Sequence, residues 1–226
     1  MTALDRAYTA LALTDAVLAA HGGIRSSRLR WVTKPALMPL LIAKVSAPGD
    51  GTWSRLRDRT RVGLALSWAG DVALLGSSDT AFAAGLGCFA GAHGCYSTAF
   101  TMARRPTPPA AAGPVGVGGL LLGGALARRA GRLGAPVAGY SALITSMAIR
   151  AIGLDERRIG ASAARRIAAG AGLFVVSDGL IGWRKFGLPG DAPGGLRAAI
   201  DAAVMATYAS GQWLIADGVT RARSTG

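Results

Sequence analysis

The chain has 226 residues, is 51% hydrophobic and only 16% charged, and its mean hydropathy is +0.37. A soluble domain of this size would carry roughly 25% charged residues, so a water-soluble fold is a poor match. The formal net charge of +13 would point a soluble protein towards nucleic acid, but these basic residues fall in clusters between apolar runs, as in Arg55-Leu56-Arg57-Asp58-Arg59-Thr60-Arg61, Arg128-Arg129 and Arg157-Arg158. That is the pattern of loops flanking membrane spans, and no nucleic-acid partner is expected.

Taken in order, the apolar runs predict eight transmembrane helices over 2–21, 33–47, 60–76, 80–102, 110–127, 135–152, 166–183 and 196–219. Most approach the ~20 residues that cross the hydrocarbon core of a bilayer. The expected architecture is an all-α polytopic bundle, with 1–226 forming a single transmembrane domain and no soluble domain. The first run resembles a signal sequence, but Asp15 interrupts it and equally apolar runs follow, so it reads as a retained span. Eight spans put both termini on one side. Thirteen basic residues lie in the loops of that side and nine on the other, which leans towards cytoplasmic termini and a multi-pass plasma (inner) membrane protein.

The connections are short and rich in Pro, Gly and Arg, such as Gly187-Leu188-Pro189-Gly190. Many of the 33 glycines lie inside spans, where small residues allow close helix approach. Gly116-Val117-Gly118-Gly119 has no preceding strand and no closing Lys-Ser/Thr, so it is not a phosphate loop. Cys88 and Cys95 lie on one helix face, too far apart in rise to bridge each other. No Cys/His ligand set for zinc is present, and neither a metal nor another cofactor is expected. Gly63 to Asp71 and Gly170 to Asp178 share a faint pattern ending in a small residue and Asp, which either chance or a parallel repeat would produce.

Ionisable residues inside spans carry the functional signal, because a bilayer makes them costly. The candidates are Asp15, Lys34, Lys44, Asp71, His93, Arg150, Asp178 and Asp217, together with Tyr96, Tyr140 and Tyr208. Asp15, Asp217 and Arg150 lie near span ends or in structural pairs, and Lys44 can snorkel to the interface. Lys34, Asp71, Tyr140 and Asp178 share a depth towards the face opposite the termini. They are expected to converge in one pocket, with His93, Tyr96 and Tyr208 nearer mid-membrane. Asp71 and Asp178 have no basic neighbour one turn away. Two buried carboxyls facing one cavity can divide acid and base roles, one carrying a proton while the other stays ionised beside Lys34 or hydroxyl groups. Such a pair serves a hydrolase or, equally, a proton-coupled transporter or a lipid-binding membrane protein.

The segments carrying these residues resemble the YhhN-like lysoplasmalogenase family of eight-span membrane proteins over nearly the whole chain. The resemblance rests on Thr33-Lys34-Pro35 with Met38-Pro39-Leu40-Leu41, Gly70-Asp71-Val72-Ala73-Leu74-Leu75, and Gly85-Leu86 leading to Ala92-His93 and Tyr96. It continues through Tyr140-Ser141, Ser177-Asp178 with Trp183-Arg184-Lys185-Phe186, and Thr207-Tyr208 with Gln212-Trp213-Leu214-Ile215. It departs at Ala209-Ser210-Gly211, where the family more often has a second Tyr and Ala. The resemblance implies hydrolysis of the vinyl-ether bond of a lysophospholipid to a fatty aldehyde and a glycerophospho-alcohol. Asp71 and Asp178 would then be the catalytic pair. Lys34 would bind phosphate or tune a carboxylate, and His93, Tyr96, Tyr140 and Tyr208 would orient the substrate. The expected partners are that lysophospholipid and the bilayer.

Overall fold

The computed structural model describes residues 2–48, 51, 53–106 and 108–223. The described residues form α1 (Ala3–His21), α2 (Ile24–Ser46), α3 (Ser54–Ala73), α4 (Asp79–Thr101), α5 (Pro109–Arg129) and α6 (Gly134–Ile152). The short α7 (Glu156–Ile159), then α8 (Ala161–Gly182) and α9 (Gly194–Arg221), complete the chain. A 3₁₀ turn at Gly131–Leu133 precedes α6 and a π-helical turn at Trp183–Gly187 extends α8. Among the described residues there is no strand, only an isolated bridge between Arg104 and Leu154. Among the described residues, eight long helices stand where eight apolar runs were expected, and α7, the 3₁₀ turn and the π-helical turn are additional.

Three segments are long and apolar enough to cross a membrane by length and composition alone, namely 110–129, 131–152 and 161–187. Helices α2 and α3 carry clustered arginines and both run beyond their apolar windows. Helix α2 was expected to start at residue 33 but begins at Ile24 and takes in Arg25, Arg28 and Arg30. Arg30 can be there because its guanidinium reaches back to Asp15 at 3.2 Å, while Thr33 donates to the same carboxylate at 2.6 Å. A paired charge removes the penalty that made this turn look like loop.

Short connections make successive helices neighbours. The most extensive pairings are α8 with α9, α3 with α4 and α5 with α6. Helix α9 packs against α1, α2, α3 and α8 and forms the spine of the bundle, whereas α5 leans on α6 from outside. Glycines set the closest approach. A Cβ on Gly170 would fall 2.6 Å from the Gly211 carbonyl oxygen and 2.9 Å from the Ile215 amide nitrogen. The departure at Ala209-Ser210-Gly211 thus sits at the α8–α9 crossing, where residue 211 has no room for a larger side chain. Gly170→Ala has to push backbone, not a flexible side chain. It is expected to destabilise the protein by about 1–3 kcal/mol, the range for overpacking, measured as a lower thermal unfolding midpoint in detergent.

One buried ion cluster ties the end nearest the termini. Lys44 Nζ lies 2.7 Å from Asp5 Oδ1 and 3.0 Å from Asp217 Oδ1. Asp217 Oδ2 also meets Arg166 at 3.0 Å and Arg221 at 2.6 Å, and the Trp213 indole donates to Asp5 at 2.9 Å. This corrects the expectation that Lys44 snorkels outward. It turns inward because Asp5 would otherwise be buried without a cation, which costs more than burying the amine beside it. The cluster joins α1, α2, α8 and α9.

Candidate functional site

At the opposite end, two polar centres are built from six helices. The first uses α2, α3 and α9. Pro35 and Pro39 lie inside α2, each removing one backbone donor from the helix. Lys34 and Met38, one turn apart beside these prolines, face the bundle interior. Lys34 Nζ lies 3.2 Å from Asp71 Oδ1, and the Tyr208 hydroxyl donates to Asp71 Oδ2 at 2.6 Å. The Met38 sulfur sits 3.7 Å from the same hydroxyl. The Asp71 side chain is 1% exposed, with the Lys34 ammonium on one oxygen and the Tyr208 hydroxyl on the other.

The second centre uses α4, α6 and α8. The Tyr140 hydroxyl makes a short hydrogen bond to Asp178 Oδ2. His93 Nε2 lies 2.9 Å from the Tyr140 oxygen and 3.4 Å from the same carboxylate oxygen. When Tyr140 donates to Asp178, His93 must donate from Nε2 to Tyr140, which leaves Nδ1 a bare acceptor. That Nδ1 is buried without a hydrogen-bond partner, and so is the Ser97 hydroxyl oxygen one turn further along α4. Taking up one proton at Nδ1 and shifting both donors gives the second arrangement, which holds one proton more: Nδ1 is protonated, Tyr140 donates to Nε2, and a protonated Asp178 donates to Tyr140. The three groups can therefore hold or pass one proton without moving.

The centres adjoin rather than merge. Phe174, one turn before Asp178 on α8, packs edge-on against His93 at 4.7 Å and Tyr208 at 5.4 Å between ring centroids. Phe89, one turn before His93 on α4, packs edge-on against Tyr208 at 5.8 Å. The two rings stand where one shared pocket was expected. Sequence reasoning passed over both, and their i−4 spacing to His93 and Asp178 was the available signal. Tyr96 belongs to neither centre: its hydroxyl donates to Gln212 Oε1 at 2.8 Å, and Gln212 donates to Ser67 at 3.0 Å. Ser67 and Gln212 are the polar partners that an inventory of charged residues misses.

A small apolar cavity, about 50 Å³, is lined by Phe89, Leu126, Val137, Tyr140 and Asp178 among others. Tyr140 and Asp178 also line a second cleft, between α5, α6 and α8, together with Leu122, Gly123 and Val175. The small cavity also shares Leu74, Phe82 and Ile181 with a wider recess of about 270 Å³. That recess is lined by Arg30, Lys34, Arg184, Lys185 and Asp201. The π-helical turn serves both spaces. It sends Arg184 and Lys185 to the recess and Phe186 to the cavity wall. Among the described residues, no group of three His, Cys, Asp or Glu is arranged to hold a metal ion.

Apolar helices, outward-facing Leu and Val side chains and a buried ionic interior define a helical membrane protein. Residues 29–219 match the model of the YhhN family, and the chain belongs to that family. No curated protein and no solved structure matches it.

Proposed function

We propose that the chain is a lysoplasmalogenase-like hydrolase that crosses the bilayer with all eight long helices and cleaves the alkenyl ether bond of a lysophospholipid. One observation carries the reading. Asp178 and Tyr140, which form a proton chain with His93, line a small apolar cavity that shares wall residues with a basic recess on one side and with a cleft between α5, α6 and α8 on the other. This is the shape of an amphiphile with its reactive bond between head and tail. Family membership is consistent with the activity.

In this reading a protonated Asp178 gives its proton to the alkenyl carbon remote from the ether oxygen. The ether carbon becomes an oxocarbenium ion. The Asp178 carboxylate then takes a proton from the water that adds to that carbon. The hemiacetal collapses to a fatty aldehyde and the glycerophospho-alcohol, and the protein ends as it began. Tyr140 and His93 hold the carboxyl and set which oxygen carries the proton. Asp71 keeps Lys34 at the wall of the recess, where a phosphate would lie, and Tyr208 holds Asp71. Tyr96 acts further off, through Gln212.

The test is mass spectrometry of products released by purified protein from alkenyl, alkyl and acyl lysophospholipids. Aldehyde is expected from the alkenyl lipid alone, and release of fatty acid from the acyl lipid alone would replace the reading with an esterase. Tyr140→Phe keeps the ring and removes the hydroxyl's hydrogen bonds to His93 and Asp178. A hydrogen bond to a charged group contributes ~1.5–3 kcal/mol, so aldehyde release should fall about 10- to 100-fold.

A second reading has one observation in its favour. Tyr208, Gln212 and Asp217 form a buried polar line along α9 towards the opposite end of the bundle. A proton-coupled transporter would use such a line. Proton uptake by proteoliposomes without aldehyde release would support it.

A further inference from the structure

Helix α5 touches the bundle chiefly through α6, and the two helices do not stay equally close. At Gly119 they are pressed together: a Cβ there would fall 2.2 Å from the Thr145 hydroxyl oxygen. One turn earlier, at Gly116, the nearest atom to a Cβ would be Ile149 Cδ1 at 3.9 Å. The helices have parted, and a groove of about 350 Å³ opens there. Its floor is Gly116, Ala142 and Ile149, its outer edge is Leu120, and its far end carries Arg104 and Arg150. The outer face of α5 beside it is apolar, with Leu120 71% and Leu121 69% exposed.

The two arginines differ from those that are locked in ion pairs. Arg30, Arg166, Arg184 and Arg221 each meet an aspartate. Among the described residues neither Arg104 nor Arg150 has a carboxylate partner. Arg150 donates only within its own helix, to the backbone carbonyl and hydroxyl of Ser146. The nearby Asp155 carboxylate is engaged in capping α7 through the Arg157 amide. Two guanidiniums converge on the end of an apolar trough without an anion to share.

We propose that this α5–α6 groove is a binding site for an anionic diacyl phospholipid, with its phosphate between Arg104 and Arg150 and one acyl chain along Gly116, Leu120 and Ile149. Guanidinium recognises phosphate through paired donors, and basic pockets between membrane helices select anionic head groups. Gly119 and Thr145 border both this trough and the cleft that carries Asp178, and the test reads lipid retention, not aldehyde release, so it does not depend on the proposed hydrolysis.

The test is native mass spectrometry of the protein released from mixed micelles, counting retained lipid. Wild type should retain phosphatidylglycerol in preference to phosphatidylcholine of the same chains. One basic group near the surface is worth about fivefold, so Arg104→Gln with Arg150→Gln should lower that preference about 25-fold. Gly116→Leu leaves the charge unchanged and fills the trough, and it should cut retention as well. Arg128→Gln with Arg129→Gln, at the other end of α5, should leave it unchanged. Excess inorganic phosphate should not compete. Equal retention of the two lipids, wild-type retention by the Arg104/Arg150 variant, or an equal loss in the Arg128/Arg129 variant overturns the proposal. Competition by free phosphate would also overturn it, reducing the groove to a simple anion site. A variant that is misfolded is recognised by its lowered unfolding midpoint, and Gly116→Leu then decides.

Discussion

Asp178→Asn should lower aldehyde release by about 10²- to 10⁴-fold, the contribution of a positioned general acid–base, while the protein still folds. The amide fills the same space and still accepts from the Tyr140 hydroxyl. It carries no proton that it can give to carbon. The wild-type Asp178 side chain is already 12% exposed and, among the described residues, has no lysine or arginine partner. Its neutralisation therefore leaves no cation stranded, and the unfolding midpoint should stay near that of the wild type. Retention of full activity by Asp178→Asn would falsify the proposed role.

Asp71→Asn should behave in the opposite way. It strands the Lys34 ammonium beside an uncharged amide in the interior, and breaking a buried pair costs about 3–5 kcal/mol. Lys34→Met strands the carboxylate and should cost a similar amount. Replacing both, as Lys34→Met with Asp71→Leu, should restore much of the lost stability, because well-packed apolar residues of similar volume substitute for buried pairs with little penalty. What the double variant does not restore is the positive charge at the recess. Its KM should rise, while kcat stays within about tenfold of wild type if the charge binds substrate and transition state alike. A folded double variant with kcat reduced as far as in Asp178→Asn would put Asp71 among the groups that touch the reacting atoms. Thermal unfolding and steady-state kinetics on the same preparations separate the two outcomes.

The contrast between these aspartates was only partly legible in the sequence. Both stand inside apolar runs and both approach the same face, so cost and depth marked them equally. Depth is one coordinate. The side a residue takes around its helix axis is another, and it depends on how neighbouring helices are rotated. Lys34 from α2 and Tyr208 from α9 reach Asp71, while Tyr140 from α6 and His93 from α4 reach Asp178. No spacing within one helix predicts those partners. The same reason hid Gln212 and Ser67, which are neutral and unremarkable until they meet Tyr96.

Helix boundaries divide along the same line. The expected 110–127 and 135–152 lie close to Pro109–Arg129 and Gly134–Ile152, because an uninterrupted apolar run marks its own ends. The expected start of α2 at residue 33 missed nine residues, because Arg25, Arg28 and Arg30 raise the cost of that turn unless Asp15 waits across the interface. Lys44 was misread for a related cause: its two aspartates come from α1 and α9, at opposite ends of the chain.

Composition and the order of apolar runs by themselves determined a bundle of eight long helices and the short set of ionisable residues worth suspecting, since both follow from local transfer costs. Tertiary structure alone decided which of those residues share a proton, which lock an ion pair and which face a cavity. Those outcomes depend on the rotation and separation of helices far apart in the chain. Glycines such as Gly170, Gly211 and Gly119 set that separation only through the surfaces they meet.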